Sequence, residues 1–522
     1  MCNNLVMEYV KFWILVFCTF TTISHTSAES DEDDDYLTFP PGFRLGAGGA
    51  AYQIEGAWNV SGKGVSVWDT FTHTYPQNIK DGSNGDVACD SYHKYKEDVR
   101  LVKEIGLKYY RFSLSWTRIL PTGYPNVVSK DGLRYYNDLI DELHRNGIEP
   151  VVTLYHWDLP QVLEDQGGWT NDEVVNWFGD YARIVFTEFG PKVKIFTTIN
   201  EPTSFCREGY GHLNRAPNKD LDPCGTYLCG HNALKAHARA YHIYDREFRP
   251  TQNGKIGIVF ACPGQIAKNP GDEATVDTYY QFTCGWFAHP IYSEEGDYPQ
   301  IMKTRVAKNS FDEGYFRSRL PVFSPKWIEY IRGTADYFGL NHYTSVLVEE
   351  APKERETILD TGIHASVDSS WPDTATSWLK IVPSGFGGIL RKIRDEYNNP
   401  NVFVLENGCS DNRTTLSDTQ RIEYFYSYLK EMITAIKRDG CNVTMYSIWS
   451  LLDNFEWNDG YAEGFGIVQV DFKDPNRTRT PKLSVDRWKE VVRTRKLQPL
   501  NPTIEDASEL FGHQGRKRSA KC

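Results

Sequence analysis

The chain is short of positive charge. Its 57 Lys and Arg face 69 Asp and Glu, for a net charge of −12 and a pI near 5.6. That balance argues against nucleic-acid binding through a broad basic surface. Beyond the N-terminal segment no apolar run reaches bilayer-spanning length, so no membrane span is expected in the mature chain. Cysteine is sparse, at 11 in 522 residues, which excludes a fold stapled mainly by disulfides. No pair of histidines stands at metal-ligand spacing, and neither a metal nor another cofactor is expected. No internal repeat is present. What the chain has in quantity is aromatic residues, at 14%, with 14 Trp and 31 Tyr. Core packing alone accommodates them, and clefts that hold sugars use aromatic faces too.

Residues 1–28 read as a secretory signal. Lys11 precedes the apolar run at 12–20, and Thr26-Ser27-Ala28 supplies small residues for cleavage. An acidic lead-in at 29–38 follows, and 498–522 reads as a flexible tail. The mature protein is therefore expected to be soluble and secreted, in an extracellular space or a gut lumen. Cys2 and Cys18 leave with the signal, so nine of the 11 cysteines remain. The best-placed pair is Cys224 with Cys229, and an odd count leaves at least one thiol free. Four N-x-S/T sequons, at Asn59, Asn412, Asn442 and Asn476, become candidate glycan sites in a secreted chain. Asn59 is the doubtful one, because it lies close to a candidate active-site strand.

Between 39 and 497, strand-like and helix-like segments alternate. The strand candidates are 43–53, 109–116, 149–157, 193–201, 255–261, 336–343, 401–406 and 443–449. Amphipathic stretches at 133–143, 232–248 and 419–438 show apolar residues at helical spacing. Eight strands with intervening helices predict a single α/β domain, a (β/α)8 TIM barrel with extended loops at its C-terminal face. A doubly wound open sheet fits less well, because no Gly-rich phosphate loop follows the first strand. Gly46-Ala47-Gly48-Gly49 falls inside that strand instead. The long insertions at 263–323 and 351–378 are expected to form helices and lids around the C-terminal face.

Two strand exits carry the chemistry. Thr198-Ile199-Asn200-Glu201-Pro202 and Val404-Leu405-Glu406-Asn407-Gly408 each place a glutamate where a strand stops. Glycoside hydrolysis needs such a pair. One carboxyl protonates the leaving oxygen, and the other attacks or shields an oxocarbenium-like carbon. A single glutamate at a strand end is usually a solvated loop residue. Here the other exits are polar as well, with Gln53, Arg111, His156, Asn200, Asn341, Tyr343 and Trp449, the pattern of a site at the C-terminal face of a barrel.

These residues also resemble the family 1 glycoside hydrolases, which include β-glucosidases. The resemblance covers roughly 39–497. It rests on Ala51-Tyr52-Gln53-Ile54-Glu55-Gly56-Ala57, Tyr110-Arg111-Phe112-Ser113-Leu114-Ser115-Trp116, Leu154-Tyr155-His156-Trp157-Asp158-Leu159-Pro160, Asn200-Glu201-Pro202, Glu406-Asn407-Gly408 and Asn454-Phe455-Glu456-Trp457. Segments 236–241 and 446–451 look most like insect members. The resemblance implies Glu201 as general acid/base and Glu406 as nucleophile in a retaining mechanism. It implies that Gln53, His156, Asn200, Glu456 and Trp457 bond the sugar hydroxyls and that Trp449 lies beneath the ring. Arg111 and Tyr343 would flank Glu406 and hold it ionised. Trp378 resembles the Trp that stacks on the aglycone, and its alternative is an ordinary core position. Leu45, Gly49, Thr203 and Gly464 depart from the family pattern, which bears on the rim of the site and not on its catalytic groups.

The function expected is a retaining β-glucosidase acting on a small glycoside. One alternative is a thioglucosidase (myrosinase) cleaving glucosinolates, for which Arg207, six residues after Glu201, is the candidate aglycone contact. The bland alternative for Arg207 is a rim salt bridge with Glu208. A catalytically dead binding barrel is the third reading, and it would require the loss of a glutamate that is present.

Overall fold

Short runs of Val, Ile, Phe and Tyr make strands that are buried on both faces, as a parallel sheet requires. In the computed structural model, which describes residues 37–211, 214–351 and 360–500, eight of them close into a barrel. They are β1 (Arg44–Gly49), β2 (Tyr109–Ser113), β3 (Glu149–Tyr155), β4 (Ile195–Asn200), β5 (Lys255–Ala261), β6 (Tyr337–Asn341), β7 (Val402–Asn407) and β8 (Val443–Ile448). All neighbours are parallel and in sequence order, and β8 closes onto β1 with Arg44 opposite Met445. Each strand coincides with a segment expected from the sequence. The first differs at its end, where residues 51–54 form a short helical turn. The Ala51 amide donates to Ser113 Oγ at the end of β2, 2.7 Å away, and this bends the chain over the barrel mouth with Gln53 in the bend.

The helices that matter below are α1 (Lys130–Arg145), α2 (Val174–Phe189), α3 (Pro202–Tyr210), α4 (Gly225–Ile243), α5 (Glu273–Thr283) and α6 (Thr419–Lys437). Helix α1 shows the general logic. Ser129 caps its start by accepting from the Gly132 amide, and Tyr136, Leu139, Ile140 and Leu143 bury one face. His144 and Arg145 complement the dipole in its last turn.

The barrel axis is filled. Tyr109, Val151, Ile195, Val259, Tyr337, Phe403, Leu405 and Met445 form one cluster on seven of the strands. Two of its tyrosines need room that glycine provides. A Cβ on Gly46 would lie 2.4 Å from the Tyr109 ring, and one on Gly257 would lie 2.6 Å from Tyr337. Both phenols are satisfied: Ser447 Oγ donates to Tyr109 at 2.9 Å, and Tyr337 donates to the Phe196 carbonyl at 2.9 Å. Arg44 pairs with Glu149 below this plug. The plug therefore leaves the C-terminal strand ends as the end that opens into a cleft.

The insertions after β5 and β6 supply α5, a further helix Gln300–Asp312 and a three-stranded sheet of Gly264–Ala267, Ser345–Glu350 and Ile363–Ser366. Among the described residues two disulfides fasten the loops after β4 and β5. Cys206–Cys229 joins α3 to α4, and Cys262–Cys284 joins the chain after β5 to the chain after α5. The expected Cys224–Cys229 bridge is not formed, and Cys224 is a free, exposed thiol. The reason is helical geometry. Cys224 stands at the start of α4 and Cys229 within it. Five helical residues give about 7.5 Å of rise and about 140° of rotation. A disulfide needs Cα atoms within about 7 Å and converging side chains.

Among the described residues no helix is long and apolar enough to cross a membrane. The expected signal at 1–28, most of the lead-in at 29–38 and most of the tail at 498–522 lie outside the described residues.

The axial packing can be tested at one atom. Gly46→Ala puts a methyl against a ring that other core residues hold in place. It is expected to destabilise by about 1–3 kcal/mol, the usual range for overpacking, seen as a lowered midpoint in a urea or thermal melt. An unchanged midpoint would show that the plug can yield.

Candidate active site

Glu201 sits where β4 becomes α3. Strand β4 ends at Asn200, Glu201 adopts a left-handed backbone at φ 45°, and Pro202 begins the helix with φ already suited to it. The left-handed conformation costs a non-glycine residue about 1–2 kcal/mol. The Glu201 amide offsets part of that by donating to the Val259 carbonyl of β5 at 2.9 Å. Its carboxyl is buried. Oε1 accepts from Asn341 Nδ2 at 2.7 Å, and Oε2 accepts from Ser204 Oγ at 3.0 Å. Burial, and then the negative charge of Glu406, push its pKa up to about 7, while Asn341, Ser204 and Arg111 pull against them.

Glu406 lies within β7, and both of its oxygens are met by donors. Arg111 Nη1 donates to Oε1 at 2.5 Å, and the Tyr343 hydroxyl donates to Oε2 at 2.7 Å. The same guanidinium reaches across the mouth. Its Nη2 donates to Asn200 Oδ1 at 2.6 Å, its Nε to Thr153 Oγ1 at 3.2 Å, and its Nη1 also to the Leu405 carbonyl at 3.2 Å. One carboxylate thus faces a cation and a phenol, and the other faces an amide and a hydroxyl.

The predicted sugar-binding side chains come together beside this pair. Asn200 Nδ2 lies 3.1 Å from His156 Nε2. Because Asn200 Oδ1 already accepts from Arg111, Nδ2 is the donor and the His156 proton is on Nδ1. Burial and the charge of Arg111 hold the His156 pKa well below its usual value, so the ring is neutral near pH 7. Gln53 Nε2 donates to Asn454 Oδ1 at 3.0 Å and to the Phe455 carbonyl at 2.9 Å, with Glu456 Oε2 at 3.4 Å. Gln53 Oε1 is buried with no partner among the described residues. Burial, then Asp459, raises the Glu456 pKa. Trp449 and Trp457 both stack near the His156 ring, with centroids 5.8 and 5.9 Å from it. Trp457 packs on Trp68 and Trp157, both at 4.7 Å. Gly408 is required here, since a Cβ on it would lie 1.9 Å from the Trp449 carbonyl oxygen.

Glu201, Glu406, Tyr343, Asn341, Asn200, His156, Glu456, Trp449 and Trp457 line one cleft of about 480 Å³, and Gln53 and Arg111 are buried beside it. Trp378 lines its outer part and is 46% exposed, which rules out the core position. It meets Tyr343 edge to face at 5.8 Å. Arg207 also lines the cleft, but the rim salt bridge with Glu208 is not formed. Glu208 pairs instead with Arg215 at 2.6 Å, since adjacent helical residues point about 100° apart. Arg207 has no ion-pair partner among the described residues, and its Nε has no hydrogen-bond partner. Arg215 lies 5.6 Å from the Trp157 ring centroid. Sequence reasoning missed Ser204, Arg215 and Asp459, and it gave Asn341 no role. Ser204 was findable, because a residue three positions into a helix faces the one that caps it. Arg215 sits in a loop with no periodicity to mark it. All four sequon asparagines are exposed. Among the described residues no cluster of His, Cys, Asp and Glu could hold a metal ion.

Paired carboxyls in unlike surroundings, at the C-terminal face of a (β/α)8 barrel and walled by tryptophans, define a glycoside hydrolase. Residues 35–497 match the sequence model described as Glycosyl hydrolase family 1, and the chain belongs to that family. Myrosinase 1 of Brevicoryne brassicae is 47% identical over 464 residues, covering 88% of this chain and 99% of that one. Human cytosolic beta-glucosidase is 41% identical over 469 residues, covering 88% and 99%. The solved structure of aphid myrosinase superposes with a TM-score of 0.85 at 46% identity, covering 88% and 100%. The rice Os3BGlu6 beta-glucosidase superposes with a TM-score of 0.81 at 38% identity, covering 87% and 99%.

The environment of Glu201 generates a direct measurement. Followed by carbon NMR of labelled glutamate, its carboxyl is expected to titrate near pH 7, far above an ordinary glutamate. Asn341→Ala removes a donor that steadies the ionised form, so the midpoint should move higher still. A midpoint in the ordinary carboxyl range would overturn the account of burial.

Proposed function

We propose that Glu201 and Glu406 divide the work of a retaining β-glucosidase acting on small glycosides. The observation that carries this reading is the contrast between their surroundings. Glu406 has a guanidinium and a phenol on its two oxygens, a setting for a charged nucleophile. Glu201 is buried with only neutral donors, a setting for an acid that holds a proton near neutrality.

The chemistry follows in two displacements. A Glu406 oxygen attacks the anomeric carbon while Glu201 gives its proton to the glycosidic oxygen. The carbon–oxygen bond breaks, the aglycone leaves as its alcohol, and the sugar remains as an α-linked ester of Glu406. The negative charge of Glu406 is then gone, and with it one of the causes that raised the Glu201 pKa. Ionised Glu201 takes a proton from water as that water attacks the same carbon, the ester breaks, and both carboxyls return to their first state. Two inversions leave the β-anomer. His156, Asn200, Gln53, Glu456 and Trp457 hold the sugar hydroxyls, with the unpartnered Gln53 Oε1 an acceptor ready for one of them. Trp449 forms the platform beneath the ring, and Trp378 meets the aglycone at the cleft mouth. Secretion fits two disulfides and four exposed sequons, since such bridges persist in oxidising compartments.

One observation favours a second reading, a thioglucosidase. Arg207 lines the aglycone part of the cleft without an ion partner among the described residues, and a glucosinolate brings a sulfate there. Its planar fork suits such an anion. The β-glucosidase reading is preferred, because a single arginine is all that sets the alternative apart.

Four outcomes are expected. Glu406→Gly should abolish hydrolysis of every glycoside. Glu201→Ala should still be glycosylated by 2,4-dinitrophenyl glucoside, whose leaving group needs no proton, and azide should release a β-glycosyl azide. An α-azide from that variant would reverse the two roles. In the wild type, proton NMR should show β-glucose before mutarotation, and α-glucose first would mean an inverting enzyme. Finally, the wild type should ignore glucosinolates. If it cleaves one efficiently, and Arg207→Met raises KM for it while sparing neutral aryl glucosides, the second reading replaces the first.

A further inference from the structure

The hydrogen bonds at the barrel mouth determine which oxygen of Glu201 carries its proton. Arginine can only donate. Arg111 Nη2 therefore makes Asn200 Oδ1 an acceptor, at 2.6 Å. Asn341 approaches that same oxygen at 3.2 Å, so the Asn341 atom facing it must be its amide nitrogen. That nitrogen is also the atom 2.7 Å from Glu201 Oε1. Oε1 thus receives a donor that cannot reverse, and a proton placed there would face another N–H. The proton of the neutral acid belongs on Oε2. The group 3.0 Å from Oε2 is the Ser204 hydroxyl, which can rotate either to donate or to accept.

We propose that Ser204 is a positioning residue for both halves of the reaction, acting through Glu201 and resting on the acid/base assignment made above. With the acid neutral, Ser204 Oγ accepts from Oε2–H and keeps the proton on the cleft side until a glycosidic oxygen competes for it. Once the proton has gone, the hydroxyl turns over and donates to the carboxylate, which then serves as base. An alanine at this position would leave Oε2 without a partner in either state. Ser204 lines the cleft and is half-buried, so its own proton has room to turn. It lies in the first turn of α3, whose place is fixed nearby. Thr203 Oγ1 donates to the Thr283 carbonyl at 3.1 Å, and Cys206 is bridged to Cys229.

Glu406, Arg111 and Tyr343 act on Glu201 directly, and His156, Arg215, Tyr279, Glu456 and Asp459 from other elements, with Arg207 and Glu208 on its own helix, share its cleft. None of these side chains contacts Ser204 Oγ through a hydrogen bond among the described residues, so replacing Ser204 changes Glu201 and leaves their arrangement alone. The bond to an ionised carboxylate is the stronger of the two that Ser204 makes. Removing the hydroxyl therefore disfavours the ionised form and raises the Glu201 pKa. The alkaline limb of kcat/KM, where the acid loses its proton, moves to higher pH.

The test compares wild type, Ser204→Ala and Ser204→Thr. Alanine is at home in a helix, so the fold should tolerate it. For an alkyl glucoside, the alkaline limb of Ser204→Ala should lie about 0.5–1 pH unit above wild type. Ser204→Thr, which restores a hydroxyl, should return it. Carbon NMR titration of Glu201 should show the same shifts without any turnover. A limb that stays put, moves down, or moves equally in the threonine variant overturns the proposal. So does a drop in kcat/KM with no change in the limb, which is what a purely structural role would give. A wild type that hydrolyses no glucoside would instead refute the glycosidase reading, and the NMR titration would still judge Ser204.

Discussion

The upper face of the barrel is organised around one buried guanidinium. Arg111 is 1% exposed and reaches from β2 to β3, β4 and β7 through Thr153, Asn200, Leu405 and Glu406. A group that only donates leaves its neighbours no choice of role. Asn200 must present its oxygen to Arg111 and its nitrogen to His156, and Asn341 must turn its nitrogen inward. A buried ion pair gives little net stability, but breaking one from a single side costs about 3–5 kcal/mol. The arrangement is therefore more a constraint on geometry than a source of strength, and it links strands that sit apart on the barrel rim.

From that centre the cleft divides. On the inner side, Gln53, Asn454, Asn200, His156 and the stacked tryptophans are nearly all buried and are held by short hydrogen bonds and ring contacts. On the outer side, Trp378 is half exposed and Arg207 and Arg215 stand on or after α3. The inner half is ordered by buried side chains that bond one another, with Gln53 Oε1 left open among the described residues. The outer half draws on loops and insertions, which is where chains of one fold differ most.

How far the sequence could be read follows the same division. The eight strands were legible because each is a short apolar run that ends at a polar or helix-starting residue. The two glutamates stood out because each marks such an end. Gln53 lies beside the candidate site but not in the element expected for it, since the bend after β1 depends on a bond from Ala51 to Ser113, 62 residues away. The cysteine pairing failed for a related reason. Cys206 meets Cys229 because α3 and α4 pack side by side, and Cys262 meets Cys284 across an insertion, relations that spacing does not encode. Cys224 looked closer only along the chain. Arg215 was invisible because a loop position carries no periodic signal, and Arg207 was visible while its lack of a partner was not.

The two disulfides have a consequence for how the protein tolerates change. Both lie beside the outer half of the cleft: Cys206 one turn past Glu201, and Cys262 just beyond β5 in the cleft wall. The inner part of the cleft is braced by hydrogen bonds between buried side chains, so nearly any replacement there disturbs several partners at once. The outer wall is braced covalently through its backbone, and the bracing does not depend on which side chains face the mouth. Those side chains are free to drift. A lineage, or a designer, can therefore rewrite what the mouth admits while the geometry that performs the reaction is inherited unchanged.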